Sequence, residues 1–302
     1  LLELELQKNT LSNEKEKFIQ NMVQFIDSID FQNKYEFGRP KVNSSDLFKS
    51  ILIMSYHGMS YRRAESDIRL LFKNNLISSI PRRSTLNKYM NLTATQKMLE
   101  AFITISALVF IDHEDTLICD STWLSHHMYG GGYKIVYDKQ HAPLDKCTKI
   151  HIGCLKNSKV IASAIVTKGT SHDSPIFQKL LMKVLNAGFC IRSLLADCGY
   201  ASKDNYSLCS KLNIEDVFID FQDRSKPNPN SHTAWNKRLR ARLQHPELWH
   251  ENYRFRVLVE SLFSCIKKKS ANYLRSRKEI ARFNELLLKA LVYNINVIGR
   301  YF

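Results

Sequence analysis

The sequence predicts an α/β fold: an all-helical N-terminal region, residues 1–110, followed by a mixed five-stranded sheet flanked by helices, residues 111–302. Two observations carry this expectation. Apolar residues recur near helical spacing through residues 14–110, and from residue 116 they give way to short β-prone segments that alternate with helical ones. A chain of 302 residues is long enough for one large domain with an appendage, or for two domains.

Phe18, Met22, Val23, Phe25 and Ile26 mark a first helix, and a second runs from about Ser45 to His57. Gly58-Met59-Ser60 then makes a turn, with Ser60 placed to cap a third helix from Tyr61 to Phe72. Two helices joined by a short glycine turn match a helix-turn-helix, whose second helix would display Tyr61, Arg62, Arg63 and Arg69; an ordinary helix pair matches as well. Pro81-Arg82-Arg83-Ser84-Thr85 opens another helix, and a long apolar one follows from Ala94 to Phe110.

Thr116 to Cys119, Lys149 to Leu155 and Val160 to Thr167 read as strands, the last two joined by a turn at Lys156-Asn157-Ser158. A helix from Ser174 to Ala187, a strand from Cys190 to Ala196, a helix from Ser202 to Leu212 and a strand from Asp216 to Ile219 follow. The polar stretch 221–251, with Pro227, Pro229 and Pro246, reads as a short insertion or long loop. Helices from about Asn252 to Lys269 and from Lys278 to Tyr301 end the chain.

Composition narrows the function classes. Hydrophobic residues at 44% and charged residues at 24% describe a globular chain, not a disordered one. The longest apolar run, Phe102 to Ile111, falls well short of the ~18 residues of a spanning helix, which excludes a membrane-spanning protein. Seven cysteines form no C-x-x-C pair and no signal-peptide pattern is present, which predicts reduced thiols and a cytoplasmic location. The charge is uneven. Of the net +15, +12 lies between Arg224 and Phe302, where 17 Lys or Arg face 5 Asp or Glu. A surplus so concentrated points to a polyanionic partner.

Asp120 ends the strand Leu117-Ile118-Cys119, and Asp197 ends Leu194-Leu195-Ala196. Ligands gather at the carboxyl ends of such strands, so the two aspartates could share a divalent cation; either alone could equally be a turn former. Tyr253, Arg256, Glu260 and Lys267 fall at about 0°, 300°, 340° and 320° around a helix, one arc of ~60°. Phe255, Val259, Leu262 and Ile266 fall on the opposite side as a core stripe. A carboxylate among two cations and a phenol suits a metal site with phosphate contacts, or a surface ion-pair network.

The run Tyr253-x2-Arg256-x3-Glu260-x6-Lys267 resembles the Y-(2)-R-(3)-E-(6)-K signature of DDE transposases from prokaryotic insertion sequences. Asp120-Ser121-Thr122 and Ala196-Asp197-Cys198-Gly199-Tyr200 look like the segments holding that family's first two catalytic aspartates, and His172-Asp173-Ser174 resembles a segment between them. Cys198 stands where the family commonly has a lysine. The resemblance implies a ribonuclease-H-like core with Asp120 on the first strand, Asp197 after the fourth and Glu260 on a following helix. With 62 residues between Asp197 and Glu260, only a modest insertion fits.

It further implies Asp120, Asp197 and Glu260 as catalytic residues holding two Mg²⁺ ions, or Mn²⁺ in their place, with Asp120 bridging both. Tyr253, Arg256 and Lys267, together with Tyr61, Arg62 and Arg63 of the N-terminal region, would contact double-stranded DNA. The implied activity is binding of an element's terminal inverted repeats, followed by cleavage and strand transfer by a homodimer assembled on DNA ends at the nucleoid. The alternative is a domesticated DNA-binding descendant with an idle site. Asp173, before Ser174-Pro175, is expected to cap a helix, and His172 to be solvent-exposed or satisfied. His126-His127 and Gly130-Gly131-Gly132 read as a flexible loop. Trp123 is expected in the core, and Trp249 is the tryptophan placed to stack on an unpaired base.

Overall fold

The computed structural model describes residues 13–31, 42–126, 146–222 and 225–301. The triple glycine and His127 lie outside them. Five N-terminal helices are present among the described residues: α1 (Glu14–Asp27), α2 (Ser44–Tyr56), α3 (Glu65–Lys73), α4 (Arg83–Met90) and α5 (Thr93–Ala107). Asn43 caps α2 by accepting the Ser45 N–H. On the same helix Asp46, 3% exposed, accepts the backbone N–H and hydroxyl of both Ser78 and Ser79, which fixes the connection between α3 and α4.

The third helix begins four residues later than the sequence predicts. Tyr61–Ala64 form a turn in which the Ala64 N–H donates to the Ser60 carbonyl, so the Ser60 side chain is no cap. Arg62 and Arg63 therefore sit exposed on the turn, not on a recognition helix.

The sheet is formed by β1 (Thr116–Ser125), β2 (Cys147–Leu155), β3 (Ile161–Lys168), β4 (Ser193–Ala196) and β5 (Asp216–Ile219), in the order β3-β2-β1-β4-β5. β1, β2 and β3 are an antiparallel meander, while β4 and β5 add in parallel to β1. Helices α6 (Ser174–Asn186) and α7 (Lys203–Lys211) make the parallel crossovers. This is the mixed five-stranded sheet expected, with the first strand longer than expected. β1 does not stop at Asp120: its second half, through Ser125, stays paired with β2 after β4 has ended.

The stretch 221–251 is helical, not a loop. α8 (Ala234–Gln244) is capped by Thr233, and α9 (Pro246–Tyr253) starts on a proline. Trp235, Leu239 and Trp249 pack inward while Leu243 and Leu248 stay exposed, so the apolar residues give no helical period in the sequence. A single 3₁₀ turn, Arg254–Arg256, then breaks what was read as one helix from Asn252, and α10 (Val257–Ser270) continues from it. Val259, Leu262 and Ile266 form the predicted core stripe; Phe255, on the turn, is only partly buried under Lys156, whose Nζ lies 3.8 Å from its ring centre.

The last helix, α11 (Glu279–Ile298), is buried along most of its length against α5, α2 and β3. It joins the helical region and the sheet in one continuous apolar core. No helix among the described residues is long and apolar enough to cross a membrane.

Candidate active site

The register of β1 and β4 brings the two aspartates together. Cys119 pairs with Ala196, so the next residues on the two parallel strands are Asp120 and Asp197. Asp120 is still within β1, opposite Ile152 on β2, whereas Asp197 turns out of β4 and accepts the Cys198 N–H at 2.7 Å. Asp120 is 8% exposed; its Oδ1 accepts the Ser121 N–H at 2.7 Å and its Oδ2 accepts Arg256 Nη1 at 2.9 Å.

Arg256 joins α10 to the sheet. Its Nη2 donates to Glu260 Oε1 at 2.7 Å, so one guanidinium spans Asp120 and Glu260. The 3₁₀ turn does not spoil this, because Arg256 and Glu260 remain an i,i+4 pair. The Arg256 guanidinium carbon lies 5.8 Å from the Tyr253 ring centre, and about two helical turns beyond Glu260 the Lys267 Nζ donates to Thr122 Oγ1 at 2.7 Å. All six predicted residues of this neighbourhood thus flank the middle of β1, where β4 ends beside it. An open groove of about 780 Å³ runs past Asp120, Thr122, Glu260, Phe263, Lys267 and Asn272.

Electrostatics follow from crowding in a poorly hydrated place. Burial pushes the Asp120 carboxyl up to about 6; the Ser121 N–H and Arg256 pull against it, while Asp197 and Glu260 add repulsion. Burial also raises the Tyr253 phenol and lowers the Lys267 ammonium from their ordinary values. Arg256 is held above its usual value by the surrounding negative groups, against its own burial. Among the described residues no three His, Cys, Asp or Glu side chains already stand as a closed metal cluster. The donor chemistry nonetheless suits a hard divalent cation: carboxylate oxygens only, with a buried one whose charge the two others disfavour.

Tyr61, Arg62 and Arg63 are not brought to this groove. Tyr61 is partly buried beside Arg275 and Glu285, and burial pushes its phenol up to about 12. Both remaining tryptophan expectations are corrected. Trp123 is 37% exposed, its Nε1 donating to the Gly169 carbonyl and Lys149 Nζ lying 4.9 Å from its ring centre. Trp249 is 4% exposed and packs on Phe218 and Phe221, so it offers no face to a base. His172 is exposed, as expected.

Asp173 is not a side-chain cap. Its carboxylate turns to β2, where Oδ1 lies 2.7 Å from Lys149 Nζ and 3.0 Å from His151 Nδ1. These two basic residues were missed by the sequence reading. The signal was there: a Lys-x-His pair projects to one face of an otherwise apolar strand, and such groups are buried only with a partner.

Residues 111–295 match the family described as the transposase DDE domain. No curated protein matches the chain. Among solved structures, a piggyBac transposase synaptic complex with hairpin DNA is similar over 94% of this chain and 72% of that one, at 12% identity and a TM-score of 0.46. The family match covers well over half of the sequence and includes the whole sheet and α10, and on that ground the chain belongs to the transposase DDE domain family.

Proposed function

We propose that this chain is an active transposase that binds the terminal inverted repeats of an insertion sequence, cleaves DNA beside them and transfers the released strand. The observation that carries the reading is the meeting of Asp120 and Asp197 on neighbouring parallel strands, with Arg256 tying Asp120 to Glu260 over one groove. Asp120, Asp197 and Glu260 are the catalytic carboxylates and would hold two Mg²⁺ ions, or Mn²⁺. Those ions supply activation of a water or 3′-hydroxyl and stabilisation of the leaving oxygen.

The protein's own groups do the rest. Asp120 must be ionised to bind a cation, which its position near pH 6 permits in neutral solution. Lys267 lines the groove and Arg256 bridges two of its carboxylates, both as phosphate contacts, and the Tyr253 ring lies beside the Arg256 guanidinium. The helical region, residues 1–110, recognises the element's end through Tyr61, Arg62 and Arg63. Two copies assemble on the two ends, at the nucleoid.

The test uses a labelled duplex carrying the DNA that flanks the coding segment. Asp120→Asn is expected to abolish Mg²⁺-dependent nicking and to leave duplex binding intact. Metal-dependent cleavage by that variant removes Asp120 from the mechanism. A wild-type chain that binds the duplex and leaves it uncut in both Mg²⁺ and Mn²⁺ belongs instead to the idle, domesticated reading.

A further inference from the structure

Between the two aspartate-bearing segments lies a half-buried carboxylate that the proposed chemistry does not use. Asp173, whose side chain is 19% exposed, is held from β2 by Lys149 and His151, which are 4% and 0% exposed. From that anchorage it reaches both aspartate-bearing segments. The Ser121 side chain, next to Asp120, is near enough to favour the charged form of Asp173. On the other side the Gly199 Cα, two residues after Asp197, comes so close that a Cβ there would stand 2.9 Å from Asp173 Oδ2. Tyr200, on the same turn and 1% exposed, meets His151 Nδ1 at 3.4 Å through its hydroxyl.

Gly199 does not have a positive φ, so the backbone there would accept any residue. What requires a glycine is the approach of Asp173. The carboxylate also keeps its charge firmly: Lys149, His151 and Ser121 together hold it down to about 2 despite burial.

We propose that Asp173 is a positioning residue that sets the spacing of Asp120 and Asp197, by bracing Ser121 on β1 and the Gly199 turn against the Lys149 and His151 side chains of β2. The inference rests on the catalytic reading of Asp120 and Asp197. Groups that orient ligands from behind are worth about 10–100-fold in metal affinity or activity.

The experiment measures, for the full chain, the Mg²⁺ concentration at half-maximal cleavage of the flanking-DNA duplex, Mn²⁺ binding by calorimetry, duplex binding and the melting temperature. Asp173→Asn and Gly199→Ala are each expected to raise the Mg²⁺ midpoint and weaken Mn²⁺ binding about tenfold, with duplex binding unchanged. A merely structural role lowers the melting temperature and leaves both metal readouts in place, and that result overturns the proposal. Gly199→Ala serves if Asp173→Asn fails to fold. Asp173→Ser frees the space a Cβ needs, so Asp173→Ser with Gly199→Ala should match Asp173→Ser alone; effects that multiply refute the contact. Asp120→Asn separates the two readings. If it cleaves, the catalytic assignment has failed; if it is dead while the Asp173 and Gly199 variants keep wild-type midpoints, only the bracing role has failed.

Discussion

Lys289 lies on α11, 4% exposed, where its ammonium donates to the carbonyls of Ala271 and Tyr273. Burial nevertheless brings it down to about 8. An amine whose folded pKa lies below its ordinary 10.5 destabilises the fold while charged, fully below about 8 and less and less as pH rises towards 10.5. Relative to Lys289→Met, the wild type should therefore gain on the order of 2 kcal/mol between about pH 7.5 and pH 9.5 in urea melts. A difference that stays flat with pH would mean the ammonium is hydrated. Trp249 gives a second test at this scale. Its indole fills the space between Phe218 and Phe221, so Trp249→Ala should destabilise by about 3–5 kcal/mol in denaturant and leave DNA affinity per folded molecule unchanged. A loss of affinity with full stability would restore it to a DNA-contacting role.

At the scale of elements, a few buried amides decide how helices dock. Asn294 of α11, 0% exposed, accepts the Ile161 N–H and donates to the Ile161 carbonyl and the Ser106 hydroxyl, linking α11 to β3 and α5. Asn284 does the same for the loop after α4, donating to the carbonyls of Met90 and Leu92. Asn294→Leu leaves those partners buried and unpaired, and should destabilise by about 2–4 kcal/mol with the unfolding still cooperative. Elements with dense apolar periods, such as α2, α5 and α11, were legible within a few residues of their ends. α8 and α9 were not, because their polar sequence becomes helical only against the Phe218 and Phe221 side chains. The end of β1 was misread for a similar reason: an Asp signals a turn locally, and only pairing with β2 carries the strand past it.

For the whole molecule, the uneven charge has a measurable consequence. The basic quarter of the chain contains Lys267, which lines the groove, and Arg256, which bridges two of its carboxylates, so DNA affinity should fall steeply with salt. Lys267→Ala should weaken binding and shallow the log–log salt slope by about one, read by fluorescence anisotropy across a salt series. An unchanged slope would assign Lys267 wholly to its contact with Thr122.

The sequence by itself determined the α/β class and the order of the five strands along the chain, because periodicity and spacing along one chain encode local conformation and which residues share a face. Only the tertiary structure decided that Arg256 spans Asp120 and Glu260, that Trp249 is core, and that Asp173 faces Lys149, Ser121 and Gly199 instead of its own helix. Those contacts join residues far apart in the chain, and whether a polar side chain caps, pairs or faces water depends on which partners packing delivers to it.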